Sequence, residues 1–187
     1  MAKRVKKEIG LAVVGCGTIG RIRTMLARNF PGVSWMGLCD LKGGLAKKLA
    51  EDSQADFYTT DYKELLKRSE VNAVIIATDE NKHVAPTLEA VERGHDLLIE
   101  KPLATDVKES LKVFDAIKAS RVDAVVGYTN RFRRRFLAIK ERIKTKQIGE
   151  VTSATTRAFM NRMVPIATVQ RTDQRKTLTP MVVSGTH

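Results

Sequence analysis

The run Gly15-Cys16-Gly17-Thr18-Ile19-Gly20 stands between an apolar stretch, Ile9–Val14, and an amphipathic one over residues 19–29. Strand, glycine turn and helix in that order constrain the fold more than any other feature of the chain. Gly15 permits a tight turn off the strand, Gly17 lets a pyrophosphate approach the backbone, and Gly20 lets the helix pack close to the sheet. The first N–H groups and positive dipole end of that helix then face the phosphates. Asp40 closes the next apolar run, 20 residues beyond Gly20, where a dinucleotide site needs a carboxylate for the adenosine ribose hydroxyls. Gly15, Gly17, Thr18, Ile19, Gly20 and Asp40 are therefore the first cofactor-binding candidates.

Beyond this unit, apolar runs alternate with segments of helical period, the signature of a parallel sheet with crossover helices. The pattern predicts strands over Ile9–Val14, 34–39, 56–58, 72–77, 95–99 and 124–127. Helices are predicted over 19–29, 43–52, 61–69, 83–93 and 106–120. Residues 73–77 and 124–126 are almost wholly apolar, as strands covered on both faces are. The fold class is α/β, a Rossmann-type doubly wound parallel sheet over residues 1–128. Residues 129–187 then read as the incomplete start of an α+β second domain, with a helix over 132–146 and a strand over 151–159.

At 187 residues the chain holds one full domain and part of another, and its 43% hydrophobic and 29% charged content is that of a soluble globular protein. No apolar run reaches the length of a membrane span, and the short one after the basic start leads straight into the glycine loop. Two cysteines, Cys16 and Cys39, make no disulfide framework and suit a cytoplasmic protein. Much of the net charge of +12 falls in Arg131, Arg133, Arg134 and Arg135 and the lysines and arginine after them. A solvated basic helix, or one facing an acidic partner, accounts for it, because no nucleic-acid motif accompanies it. No metal-ligand spacing occurs.

Further candidates lie at the ends of predicted strands, where open α/β sheets bind ligands. Ala77 and Thr78 follow one strand, with His83 at the next helix start; Thr78 and Asp79 equally suit a helix cap. Glu100-Lys101-Pro102 follows another strand. A lysine there reaches a substrate hydroxyl across a nicotinamide and serves as a proton acceptor; the alternative is a surface lysine paired to Glu100. Asn130 and Arg131 carry groups suited to sugar hydroxyls, whereas Tyr128 and Phe132 suit packing. His187 ends the chain in Ser184-Gly185-Thr186-His187 and carries little meaning by itself.

Taken together, Gly15-x-Gly17-x-x-Gly20, Asp40, Ala77-Thr78 with His83, Glu100-Lys101-Pro102 and Gly127-Tyr128-x-x-Arg131-Phe132 resemble the glucose–fructose oxidoreductase/inositol dehydrogenase (Gfo/Idh/MocA) family. Ile148-Gly149-Glu150-Val151 resembles the family's entry into its second domain. The resemblance implies an NAD- or NADP-dependent oxidoreductase acting on CH–OH groups of sugars, cyclitols and related molecules, and a homo-oligomer. It implies Lys101 as a catalytic residue, a cis Lys101–Pro102 peptide, and His187 as an accessory acid/base. Asp40 favours NAD, because a carboxylate repels a 2′-phosphate, while Lys42 and Arg21 leave NADP open. Two departures from the family pattern stand out. Val183 occupies the position of an Asp four residues before the family's His, and members are about twice as long, as two full domains require. The resemblance thus implies a piece of a longer chain. A dinucleotide-binding sensor or scaffold without catalysis is the alternative function.

Overall fold

A computed structural model describes residues 8–155 and residue 157. The chain divides into two units, Met1–Gly127 and Tyr128–His187. The first contains six strands, β1 (Ile9–Val14), β2 (Val33–Cys39), β3 (Phe57–Thr59), β4 (Ala73–Ile76), β5 (Asp96–Ile99) and β6 (Ala124–Val126). Between them run α1 (Thr18–Arg28), α2 (Gly43–Ser53), α3 (Tyr62–Leu66), α4 (Val84–Glu92) and α5 (Val107–Ala119). All strand pairs are parallel, in the order β3-β2-β1-β4-β5-β6. The chain builds outward from β1 on one side, then returns to build outward on the other. The order reverses between β1 and β4, and it is at such a switch point, in the crevice outside the strands' C-terminal ends, that open α/β sheets bind their ligands.

β1 is continuously apolar because both of its faces are covered. Leu11 and Val13 join Met36, Leu38, Ala46, Leu49 and Ala50 beneath α2, whereas Ala12 and Val14 join Leu65, Leu66, Val74, Ala90 and Val91 beneath α3 and α4. A period-2 alternation thus feeds two cores from one strand. Gly10 has a different reason to be glycine: a Cβ there would lie 1.6 Å from the carbonyl oxygen of Glu70.

Three expectations need correction. Residues 124–126 do not form a strand covered on both faces: β6 is the edge of the sheet, and Val125 is 52% exposed. The helix expected over 61–69 is only Tyr62–Leu66, started by Asp61 Oδ1 accepting from the Lys63 N–H at 2.8 Å. It ends where Arg68 lays its guanidinium over the rings of Phe57 and Trp35, at 4.5 and 5.5 Å. Finally, residues 151–155 form no strand and are exposed; a single strand without a hydrogen-bonding neighbour has nothing to stabilise it. The rest of the 151–159 segment lies outside the described residues.

In the second unit a single 3-10 turn, Thr129–Phe132, precedes α6 (Arg134–Lys144). Phe136, Ile139 and Ile143 follow helical spacing along α6 and are all exposed. Among the described residues no helix is long and apolar enough to cross a membrane.

Candidate functional site

The three glycines of the loop do different things. Gly15 leaves β1 at φ +102°, where a Cβ would be strained, and its N–H donates to the Cys39 carbonyl at 2.8 Å. A Cβ on it would also lie 2.4 Å from the carbonyl oxygen of Ala77, so the loop rests directly on the end of β4. On Gly20 a Cβ would lie 1.8 Å from the Gly15 carbonyl oxygen, which is how closely α1 packs against its own turn. Gly17 is the opposite case, with nothing within 4 Å of a Cβ built on it. It also caps α1 without any side-chain hydrogen bond, and no acidic residue occupies the first turn. Arg21 makes the first bond back to Gly17, at 2.8 Å, so helix geometry leaves the N–H groups of Thr18, Ile19 and Gly20 without intrahelical acceptors. Thr18 and Ile19 are exposed beside it.

Asp40 is tied to this loop. One carboxylate oxygen, Oδ2, accepts the Cys16 N–H at 2.8 Å, and the other, Oδ1, accepts the Lys42 N–H at 2.8 Å. Each oxygen keeps further acceptor capacity for a hydroxyl. Arg21 turns away, its Nη1 meeting Asp52 Oδ2 at 2.6 Å.

The two cysteines flank Asp40 and are buried as free thiols, Cys16 Sγ lying 3.5 Å from the Cys39 carbonyl. Burial first, and the Asp40 carboxylate second, push each thiol up to about 12 from 9.0. A group whose folded value is raised in this way keeps its proton while the unfolded chain loses it. Their contribution to stability is therefore complete below pH 9 and declines as pH rises from 9.0 toward 12. In the folded chain at pH 8, both cysteines are expected to react with iodoacetamide at least about tenfold more slowly than in urea, as thiolate reactivity requires. Equal rates, followed by mass spectrometry, would contradict this.

Across the crevice, Ala77 is buried and its N–H donates to the Val14 carbonyl at 2.8 Å. Thr78 and Asp79 do not cap α4. The Thr78 hydroxyl donates to the Asp79 carbonyl at 3.2 Å, and Asp79 pairs with Lys82 at 2.8 Å. His83 is 1% exposed, with Nδ1 2.7 Å from the Pro102 carbonyl and Nε2 3.2 Å from the Thr78 carbonyl. The shorter contact fits Nδ1–H as donor, so the ring ties the start of α4 to the loop after β5. In that loop the Lys101–Pro102 peptide is cis.

Glu100 has a partner that sequence reasoning missed: Arg23 on α1 donates Nε and Nη2 to Oε1, at 2.7 and 2.5 Å. The residues are 77 apart in sequence, so no local spacing pointed to the pair. Gly127 leaves room for the same carboxylate: a Cβ there would lie 3.2 Å from Glu100 Oε2.

The remaining candidates fall elsewhere. Asn130 and Arg131 lie in the 3-10 turn of the second unit, with Asn130 Oδ1 buried and lacking a hydrogen-bond partner. His187 and Val183 lie outside the described residues. Among the described residues no group of three or more His, Cys, Asp or Glu side chains is placed to hold a metal ion.

Known proteins share this fold. Residues 9–128 match the oxidoreductase family Gfo/Idh/MocA, described by its NAD-binding Rossmann fold. The scyllo-inositol 2-dehydrogenase (NAD(+)) of Bacillus subtilis is 28% identical over 147 residues, 78% of this chain and 43% of its own length. Inositol 2-dehydrogenase 2 of Paenarthrobacter aurescens is 32% identical over 149 residues, 76% of this chain and 44% of its own. The chain thus spans less than half the length of the curated relatives it matches. The crystal structure of myo-inositol dehydrogenase from Lactobacillus casei with NAD(H) and myo-inositol superposes with a TM-score of 0.72 at 24% identity, over 75% of this chain and 42% of that one. Likeness at that identity shows the fold. With the glycine loop, Asp40, the β1/β4 crevice and Glu100-Lys101-Pro102 all inside the matched stretch, the chain belongs to the Gfo/Idh/MocA oxidoreductase family through its NAD-binding Rossmann domain.

Proposed function

We propose that the β1/β4 crevice binds NAD(H), which when bound supplies the hydride acceptor or donor for a hydroxyl-bearing carbon of a cyclitol or sugar. One observation carries this reading. Asp40 accepts an N–H from the same loop whose Gly17 faces open space and whose helix lacks a side-chain cap. Phosphate contacts and a ribose carboxylate are thereby presented together. The cyclitol class comes from the relatives, which are inositol dehydrogenases by name.

Within this reading Asp40 favours NAD over NADP, supported by the ion pair that holds Arg21 on Asp52. Lys101 takes the proton of the substrate hydroxyl or returns it. His83 holds the Lys101–Pro102 loop through the Pro102 carbonyl. Asn130 and Arg131 are substrate candidates, and His187 is an accessory acid/base. Residues 129–187 would begin a second domain that takes part in substrate binding and self-association. Free buried cysteines support a cytoplasmic setting. Val183, at the family's Asp position, favours a second reading in which the chain binds the dinucleotide without catalysis.

Calorimetric titration of the chain with NADH and NADPH tests the cofactor reading. NADH is expected to bind in the micromolar range and NADPH about tenfold or more weaker, a difference of about 1.4 kcal/mol. Asp40→Ala is expected to weaken NADH and narrow that gap. Absence of NADH binding, or tighter NADPH, would overturn it. Binding without turnover of an inositol panel would decide for the second reading.

A further inference from the structure

Arg23 is an arginine turned inward. Its side chain is 23% exposed and that of Glu100 is 12% exposed. Two of its donors, Nε and Nη2, converge on the single oxygen Oε1, at 2.7 and 2.5 Å. The other oxygen, Oε2, lies against Gly127, where a Cβ would come within 3.2 Å. The backbone of Glu100 is fixed as well, its N–H donating to the Ile76 carbonyl at 2.9 Å. Gly127 N–H donates to the Ile99 carbonyl at 2.7 Å, which fixes the neighbouring strand. The carboxylate thus lies between Arg23 of α1 and Gly127 at the end of β6, while the Glu100 backbone is tied to β4.

This placement joins two parts of the proposed site that the sequence keeps far apart. Arg23 lies about one helical turn beyond Gly20, on the helix whose first N–H groups face the phosphates. Glu100 is the residue before Lys101. On the far side of the same loop His83 holds the Pro102 carbonyl at 2.7 Å. Residues 100–102 are therefore gripped at both ends, by α1 through Arg23 and by α4 through His83. A guanidinium suits the first grip because its planar fork places two donors on one acceptor. Removing one member of a pair this enclosed leaves the other charge without compensation.

We propose that Arg23 is a positioning residue that couples the phosphate-facing helix to Lys101 through Glu100. The coupling rests on the NAD(H) and Lys101 reading above, whereas the grip of Arg23 on the loop stands on the geometry alone. Arg23 touches the loop and not the reacting atoms, so its effect should be transmitted as loop order.

Amide hydrogen exchange followed by mass spectrometry, on the full chain with and without NADH, tests this. In Arg23→Gln, exchange over residues 99–104 is expected to rise about tenfold or more, as local opening becomes easier, with β1 and β2 unchanged. Glu100→Gln should have the same effect, and the double variant should add little to either. NADH should slow exchange of 99–104 in the wild type and fail to do so in Arg23→Gln, a response that a purely structural arginine would not control. Arg23→Lys should restore part of both effects. If Arg23→Gln raises exchange throughout the sheet, Arg23→Lys becomes the deciding variant. Wild-type exchange over 99–104 in Arg23→Gln, undiminished protection of that segment by NADH in the same variant, or, where Arg23→Lys decides, an Arg23→Lys chain no closer to wild type over 99–104 than Arg23→Gln, would overturn the proposal. A wild-type chain that does not bind NADH overturns the cofactor reading and the coupling with it; exchange without cofactor then decides on the grip alone.

Discussion

Gly20→Ala is expected to destabilise the chain by about 3 kcal/mol or more and to abolish measurable NADH binding, the overpacked-core range being a lower guide. The added methyl would lie 1.8 Å from the Gly15 carbonyl oxygen and 2.8 Å from its carbon, both backbone atoms that cannot rotate away. Relief requires α1 to lift off the turn, which carries its N-terminal N–H groups away from where a pyrophosphate would sit. Gly17→Ala supplies the contrast. Its methyl meets nothing within 4 Å, so stability should change by less than about 0.5 kcal/mol, as at ordinary surface positions. It nevertheless places carbon where the phosphate would approach, and NADH affinity should fall about tenfold or more, or by at least about 1.4 kcal/mol. Urea melts and NADH fluorescence titrations of the two variants check this. An equally stable Gly20→Ala, or a Gly17→Ala with unchanged affinity, would contradict the roles assigned to these glycines.

Lys101→Ala is expected to reduce turnover of an inositol with NAD by about 10²- to 10⁴-fold, the range for loss of a positioned proton-transfer group. Cofactor affinity should stay within about threefold, because a group acting in proton transfer lowers kcat rather than uniform binding. Lys101→Arg should not restore the rate, since a guanidinium does not give up its proton at neutral pH. The measurement is NADH formation by absorbance, alongside a separate titration of cofactor into each variant. Unchanged kcat in Lys101→Ala would remove the lysine from the reaction. A lost affinity with unchanged kcat would make it a cofactor contact instead.

What could be read from the sequence follows the range of the forces involved. The glycine loop and the apolar runs are local, and β1 announced itself because burial on both faces leaves it no polar position. Asp40 was legible for a similar reason, being the first charged residue after a buried strand. The partners of these groups were hidden. Nothing near Glu100 indicates that Arg23 reaches it, nor that Gly127 is small to make room for its carboxylate. The cap proposed for Thr78 and Asp79 was chemically reasonable, but a 3-10 turn over Glu80–Lys82 intervenes before α4 begins. β6 showed the apolar composition of a central strand and occupies the edge, because composition does not report how many neighbours a strand acquires. Residues 151–155, within the strand expected over 151–159, form none for the related reason that alternation alone supplies no pairing partner.

The bond from the Cys16 N–H to Asp40 has a consequence for how cofactor preference can change in this lineage or by design. In the proposed NAD(H) site, exchanging the acid for a small neutral residue would remove the repulsion toward a 2′-phosphate and, in the same step, untie the turn that would receive the pyrophosphate. In that reading preference and affinity change together whenever the exchange at position 40 removes the oxygen acceptor. After such an exchange a second substitution would be needed to re-anchor the Cys16 amide, whereas Asp40→Asn, which keeps an oxygen acceptor without the charge, is the shortest route that separates the two.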